Sequence, residues 1–179
     1  MITLITKSID RFTEITGQAV AWLTLVMMLT ICTVVFMRYF LESGSLALQE
    51  FSNYLHATVF MLGTAFALKR GSHVRVDIFY RRWSRRSQAI VDCVGSLVFL
   101  FPVCGLLLVL SWDYVGDSWA IRETSSEPGG LQTVYLLKTL MVMMPIFLLL
   151  QGLSQILKNL MVILGKDLTP SDEHLEQVL

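Results

Sequence analysis

Four long apolar runs separated by polar segments organise the chain, at about residues 17–37 ("GQAVAWLTLVMMLTICTVVFM"), 46–68, 89–110 and 134–157. A hydrocarbon layer roughly 30 Å thick takes about 20 apolar residues as a helix. Lipid offers the backbone no hydrogen-bond partners, so each run predicts a membrane-spanning helix. Tyr39, Trp112, Tyr114, Trp119 and Tyr135 fall near the ends of the runs, where aromatic side chains anchor helices at the interface. Pro102 and Pro145 lie inside the third and fourth runs; each removes a backbone hydrogen bond and predicts a kink. Residues 1–16 place Ile5, Ile9 and Phe12 on one helical face, with Lys7 and Arg11 elsewhere. That pattern predicts a cytoplasmic amphipathic segment leading into the membrane. The first run is too long for a cleaved signal and lacks a small-x-small site, so it is expected to remain as the first span.

Between the second and third runs the pattern changes. The stretch "ALKRGSHVRVDIFYRRWSRR", residues 67–86, is strongly basic. Helical spacing puts Val76, Phe79, Tyr80 and Trp83 on one side, with Arg81, Arg82 and Arg85 largely opposite. This predicts an amphipathic helix over about 74–86 lying in the membrane surface, with Arg75, Arg81, Arg82, Arg85 and Arg86 on lipid headgroups. The expected fold is therefore an all-α integral membrane protein. Four transmembrane helices form a domain over 17–165, the surface helix joins the second and third, and a cytoplasmic tail covers 166–179.

Charge sets the orientation. Four spans put both termini and the basic loop on one side, with Lys7, Arg11, Lys69, Arg70, Lys158 and Lys166. The other side has Arg38 and Arg122, with Lys138 just inside the fourth run. The positive-inside rule then places both termini in the cytoplasm. Net charge is zero, so no global bias toward nucleic acid exists, and a mean hydropathy of +0.62 fits a membrane domain. Residues 111–133 form the opposite loop, where Asp113, Asp117, Glu123 and Glu127 face Arg122 alone beside Trp119. It reads as an outer docking loop for a partner or as an ordinary exposed loop.

The second run carries the polar residues. Gln49, Asn53, His56, Phe60, Gly63 and Ala67 share one helix face, with Glu50 beside it near the outer end. Polar side chains within a membrane usually face protein, and the pair Gly63 and Ala67 permits close helix contact. The face is a candidate packing seam, within the chain or against a partner subunit. A substrate or ion path, and a haem site at His56, are the competing readings. His73 and His174 lie outside the runs and supply no second ligand at that depth. Cys32, Cys93 and Cys104 form no CxxC pair, and no nucleophile elbow, P-loop or HExxH motif occurs. No catalytic residue, metal site or cofactor is expected.

The residues "RYF" at 38–40, Gln49–Glu50, "LGTAFALKRGSHVRVD" at 62–77 and "EPGGLQTVYLLKTLMVMMPIFLLLQG" at 127–152 resemble the small membrane subunit of TRAP (tripartite ATP-independent periplasmic) transporters, the Q-type or DctQ-like component. The most specific element is Gly63, Ala65, Gly71, His73, Val74 and Asp77 at their spacing. Ala47 and Gln49 stand where the family often has Trp and Glu. The resemblance implies a non-catalytic scaffold in the bacterial inner membrane. Its partner would be a large multi-span subunit that carries the substrate and sodium sites. A periplasmic binding protein would deliver an organic acid. Gly71, His73 and Asp77 would fix the turn into the surface helix. An autonomous small channel or exporter and a cytochrome-like redox subunit are the alternatives.

Overall fold

A computed structural model describes residues 2–71 and 83–165. They form four helices: α1 (Ile2–Phe40), α2 (Leu46–Lys69), α3 (Arg85–Ala120) and α4 (Val134–Ile163), with no strand among the described residues. The helices alternate in direction. Glu14 near the start of α1 meets Lys69 at the end of α2, and Trp119 at the end of α3 meets Tyr135 at the start of α4. The segments flanking residues 72–82 therefore lie at the same end as the first turns of α1. The surface helix expected at 74–86 falls mostly outside the described residues.

α1 is one unbroken helix of 39 residues, about 58 Å long at 1.5 Å per residue. The amphipathic segment expected before the first span is thus coaxial with it. The helix stops where Glu42 takes the left-handed φ of 47° and the Ser43 N–H returns to the Met37 carbonyl at 3.2 Å. α2 starts at Ser45, whose hydroxyl accepts the Leu48 N–H, and ends before Gly71 at φ +64°. Ser84 starts α3 in the same way, accepting the Ser87 N–H at 3.2 Å. That cap places Arg85 and Arg86 in the first turn of α3.

α3 contains a π-helical turn, Ser96–Leu100, where the Phe101 N–H bonds to the Ser96 carbonyl. Pro102 follows at once and has no N–H to give to the turn before it, so the wider turn sits where the ordinary ladder is already interrupted. Gly152 of α4 leaves room for it: a Cβ there would lie 2.6 Å from Leu100 Cδ2. α3 also runs ten residues past the expected end of the third span, to Ala120. Its buried residues Cys104, Ser111, Val115 and Ser118 keep one helical face turned inward. Pro145 lies buried inside α4, which continues through it.

α4 is the hub, packed against α1, α2 and α3, while α1 also pairs along α2. Many of the buried residues are small, with Val20, Ala65, Ala89, Cys104 and Val115 beside Thr13, Ser52, Ser111 and Ser118, while Leu55, Leu140, Pro145 and Gln151 are the larger ones. Small residues let membrane helices approach closely. Large apolar residues point outward instead: Phe99, Leu106 and Val109 are 71%, 59% and 72% exposed. α1, α3 and α4 are long and apolar enough to cross a membrane. α2 is long enough, but Gln49, Glu50, Asn53 and His56 make its first half polar.

Candidate functional site

Polar chemistry collects in three places: a clasp at each end of the bundle and a stripe along the outside of α2. The clasp at the 121–133 end is built on Glu50. Its carboxylate accepts the Ser125 hydroxyl at 2.5 Å and the Leu131 N–H at 2.6 Å. The Ser125 N–H in turn donates to the Leu131 carbonyl at 2.9 Å. Gly130 makes the knot possible, because a Cβ there would sit 2.5 Å from Ser125 Oγ and 2.8 Å from Glu50 Oε1.

Alongside it, Glu123 accepts the Ser118 hydroxyl at 2.7 Å and pairs with Lys138. The hydrogen bond from Lys138 holds the Glu123 carboxyl below the usual glutamate range. The Lys138 ammonium also lies 4.0 Å from the centre of the Tyr114 ring. Trp119 packs edge-on against Tyr135 at 4.8 Å and donates its indole N–H to Thr139 at 2.9 Å.

The clasp at the opposite end joins three helices. Asp10 accepts Ser154 Oγ at 2.9 Å and Gln151 Nε2 at 3.2 Å on one oxygen, and pairs with Lys158 at 2.6 Å on the other. The Thr13 hydroxyl donates to Gln151 Oε1 at 2.7 Å. Gln151 and Ser154 are 1% and 0% exposed, and both are satisfied. Glu14 pairs with Lys69 at 2.5 Å and Arg70 at 2.8 Å, and Gln155 Nε2 donates to the Leu68 carbonyl at 3.2 Å. One turn further along α1, Gly17 abuts the Phe66 ring so closely that a Cβ would lie 2.3 Å from it.

This second clasp was not among the residues singled out in the sequence. Its signal was available: Asp10, Thr13, Glu14 and Gly17 repeat at spacings of three and four, as do Gln151, Ser154, Gln155 and Lys158. Two such stripes on separate helices face each other.

The α2 face predicted as a seam points away from the chain's own bundle. Gln49, Asn53 and His56 are exposed, Phe60 is 65% exposed, and Gly63 and Ala67 are half-buried. A Cβ on Gly63 would meet only Val20 Cγ1, at 4.0 Å. Leu55 and Ala65, on the other side of α2, are buried.

Of the residues expected in a docking loop at 111–133, Asp113 and Asp117 stand exposed on the last turns of α3, and Glu127 is exposed in the loop. Glu123 and Trp119 are instead engaged by α4. Gly71 ends α2; His73, Arg75, Asp77, Arg81 and Arg82 lie outside the described residues, and Arg85 and Arg86 are exposed. Among the described residues no group of three His, Cys, Asp or Glu side chains stands close enough to hold a metal ion.

No curated protein and no solved structure matches the chain. One family model does, over residues 27–161, from the second half of α1 nearly to the end of α4. With its helices, its apolar outer surface and the sequence motifs at 38–40, 62–77 and 127–152, this match shows that the chain is a membrane protein belonging to the DctQ family, the DctQ component of tripartite ATP-independent periplasmic transporters.

Proposed function

We propose that the chain is the non-catalytic small membrane subunit of a sodium-coupled transporter of this tripartite kind, and that its work is mechanical. All four helices cross the bacterial inner membrane, α2 included, with both termini in the cytoplasm as the basic residues direct. The surface helix over 74–86 lies on lipid headgroups through Arg75, Arg81, Arg82, Arg85 and Arg86. Gly71, His73 and Asp77 fix the turn into it.

A large multi-span subunit binds the substrate, an organic acid, together with sodium. A periplasmic binding protein delivers the acid, and the last turns of α3 with Asp113 and Asp117 and the following loop with Glu127 face that protein. The observation that carries this reading is the pair of clasps. Glu50, Glu123 and Lys138 tie the helix ends on one side, and Asp10, Glu14, Lys69 and Lys158 tie them on the other. Their charges are consumed in holding helices together, as suits a stiff anchored scaffold.

The test is capture of the tagged chain from its native membrane in nanodiscs, with mass spectrometry of what accompanies it. A stoichiometric protein with many predicted spans is expected. Deleting the chain should also abolish uptake while the large subunit is still made. A chain that emerges alone, or uptake that survives its deletion, overturns the proposal.

A further inference from the structure

The exposed stripe on α2 has no occupant in the chain itself. Gln49, Asn53 and His56 offer amide and imidazole groups, and among the described residues none of these side chains has a hydrogen-bond partner. Gln49 lies in the first turn of α2, beside the Glu50 clasp, and Asn53 and His56 lie deeper. With α2 crossing the membrane as proposed above and Leu46 at one interface, His56 lies about 15 Å in, near the middle of a hydrocarbon layer roughly 30 Å thick. Lipid tails neither donate nor accept hydrogen bonds, so polar side chains at that depth face protein or a water-filled cavity.

The opposite side of α2 is taken, with Leu55 and Ala65 buried on it. We infer that this stripe, Gln49, Asn53, His56 and Phe60, is the seam on which the large membrane subunit seats one of its helices, an inference that rests on the function proposed above. The chemistry of the occupant follows from the stripe. Opposite Gln49, Asn53 and His56 it presents hydrogen-bonding side chains at helical spacing, since amide and imidazole each need both a donor and an acceptor to be satisfied.

Further along, the occupant comes close to the backbone. Gly63 and Ala67 continue the same face with small side chains, and the space over Gly63 is open apart from Val20 at 4.0 Å. The seam is therefore polar in its outer half and a close backbone approach in its inner half, the combination by which membrane helices associate.

The test uses the full complex, co-expressed and kept in its membrane. A photo-crosslinking residue is placed in turn at the positions of Asn53, His56 and Val109, the last on the apolar outer face of α3. Adducts of the large subunit's mass are expected from Asn53 and His56. Adducts from Val109 alone, or adducts of twice the chain's mass from Asn53 and His56, overturn the seam in favour of lipid or of a second copy of the chain.

The double variant Asn53→Leu, His56→Leu decides independently. A seam predicts at least a fivefold fall in recovered complex, with the variant chain still present in the membrane and equally resistant to heat. A lipid-facing stripe predicts a more heat-resistant chain and unchanged complex, which also overturns the inference. If the large subunit is captured with the wild-type chain but neither Asn53 nor His56 reaches it, the seam alone fails. If no large subunit is captured at all, the function itself fails.

Discussion

Gly17 of α1 and Phe66 of α2 make a close contact between the two helices. Gly63 and Ala67 have the small-xxx-small spacing, yet of the two glycines between these helices Gly17 makes the closer approach, at 2.3 Å from the Phe66 ring for an added Cβ against 4.0 Å from Val20 at Gly63. An aromatic ring on a helix cannot retreat without moving its backbone or its rotamer. Gly17→Ala is therefore expected to destabilise the chain by about 1–3 kcal/mol, the usual range for overpacking. Thermal unfolding in nanodiscs measures it, and Phe66→Leu added to Gly17→Ala should restore most of the loss. Gly63→Ala should unfold within a degree or two of wild type. Equal behaviour of the two alanine variants would dispose of the assignment.

Glu123 gives a pH effect at the same scale. Its carboxyl is held below the usual glutamate value of about 4.3 by the Lys138 hydrogen bond. A lowered folded value means the stabilisation is complete above the unfolded value and disappears as pH falls through the folded one. Acid should loosen the 121–133 clasp below about pH 4.3, and Glu123→Gln should remove that part of the pH dependence. A variant with an unaltered acid limb would refute it.

At the scale of the element, α1 shows what the sequence made legible. The apolar run from Gly17 to Met37 announced a helix, but its length hid in a different pattern. Thr6, Thr13, Gly17 and Val20 are all buried and share one face, so the face runs unbroken across the boundary drawn at residue 16. The same holds for α3, where Cys104, Ser111, Val115 and Ser118 continue one small-residue face past Trp112 and Asp113. A hydropathy reading ends where charge begins; the packing periodicity does not. The helix starts were open to a capping argument, at Ser45 and at Ser84. The π-helical turn before Pro102 was not, because the missing N–H predicts an interruption without choosing its form.

The Asp10 network holds the first turns of α1 on α4, and that attachment can be released by itself. Asp10→Ala removes the shared acceptor of Ser154, Gln151 and Lys158. Lost hydrogen bonds to a charged group are worth about 1.5–3 kcal/mol. Amide exchange over residues 2–13 should speed up roughly tenfold or more, while the stretch of α2 around Leu55 stays protected. Uniform acceleration through all four helices would mean that the network supports the whole bundle and not this one attachment.

For the whole molecule, orientation decides what each clasp can do. The end with Asp10, Glu14, Lys69 and Lys158 is also the end that receives the basic segment, and the end with Glu50 and Glu123 carries exposed Asp113, Asp117 and Glu127. Partial neutralisation of Lys69 and Lys158 by Glu14 and Asp10 does not weaken the topological argument, because carboxylates count for little against Lys and Arg in setting orientation. The polarity of the α2 stripe was legible in the sequence, but only the bundle revealed that the described helices of the chain do not cover it.

Placement follows from labelling. In a background with Cys32, Cys93 and Cys104 replaced by alanine, Ser126→Cys should react with a membrane-impermeant maleimide in intact cells whose outer membrane has been made permeable. Ser87→Cys should react only after lysis. The reverse pattern would put the Glu50 clasp in the cytoplasm. The acidic turns of α3 could then meet no periplasmic protein, and the scaffold would have to engage its soluble partner through the basic end or not at all.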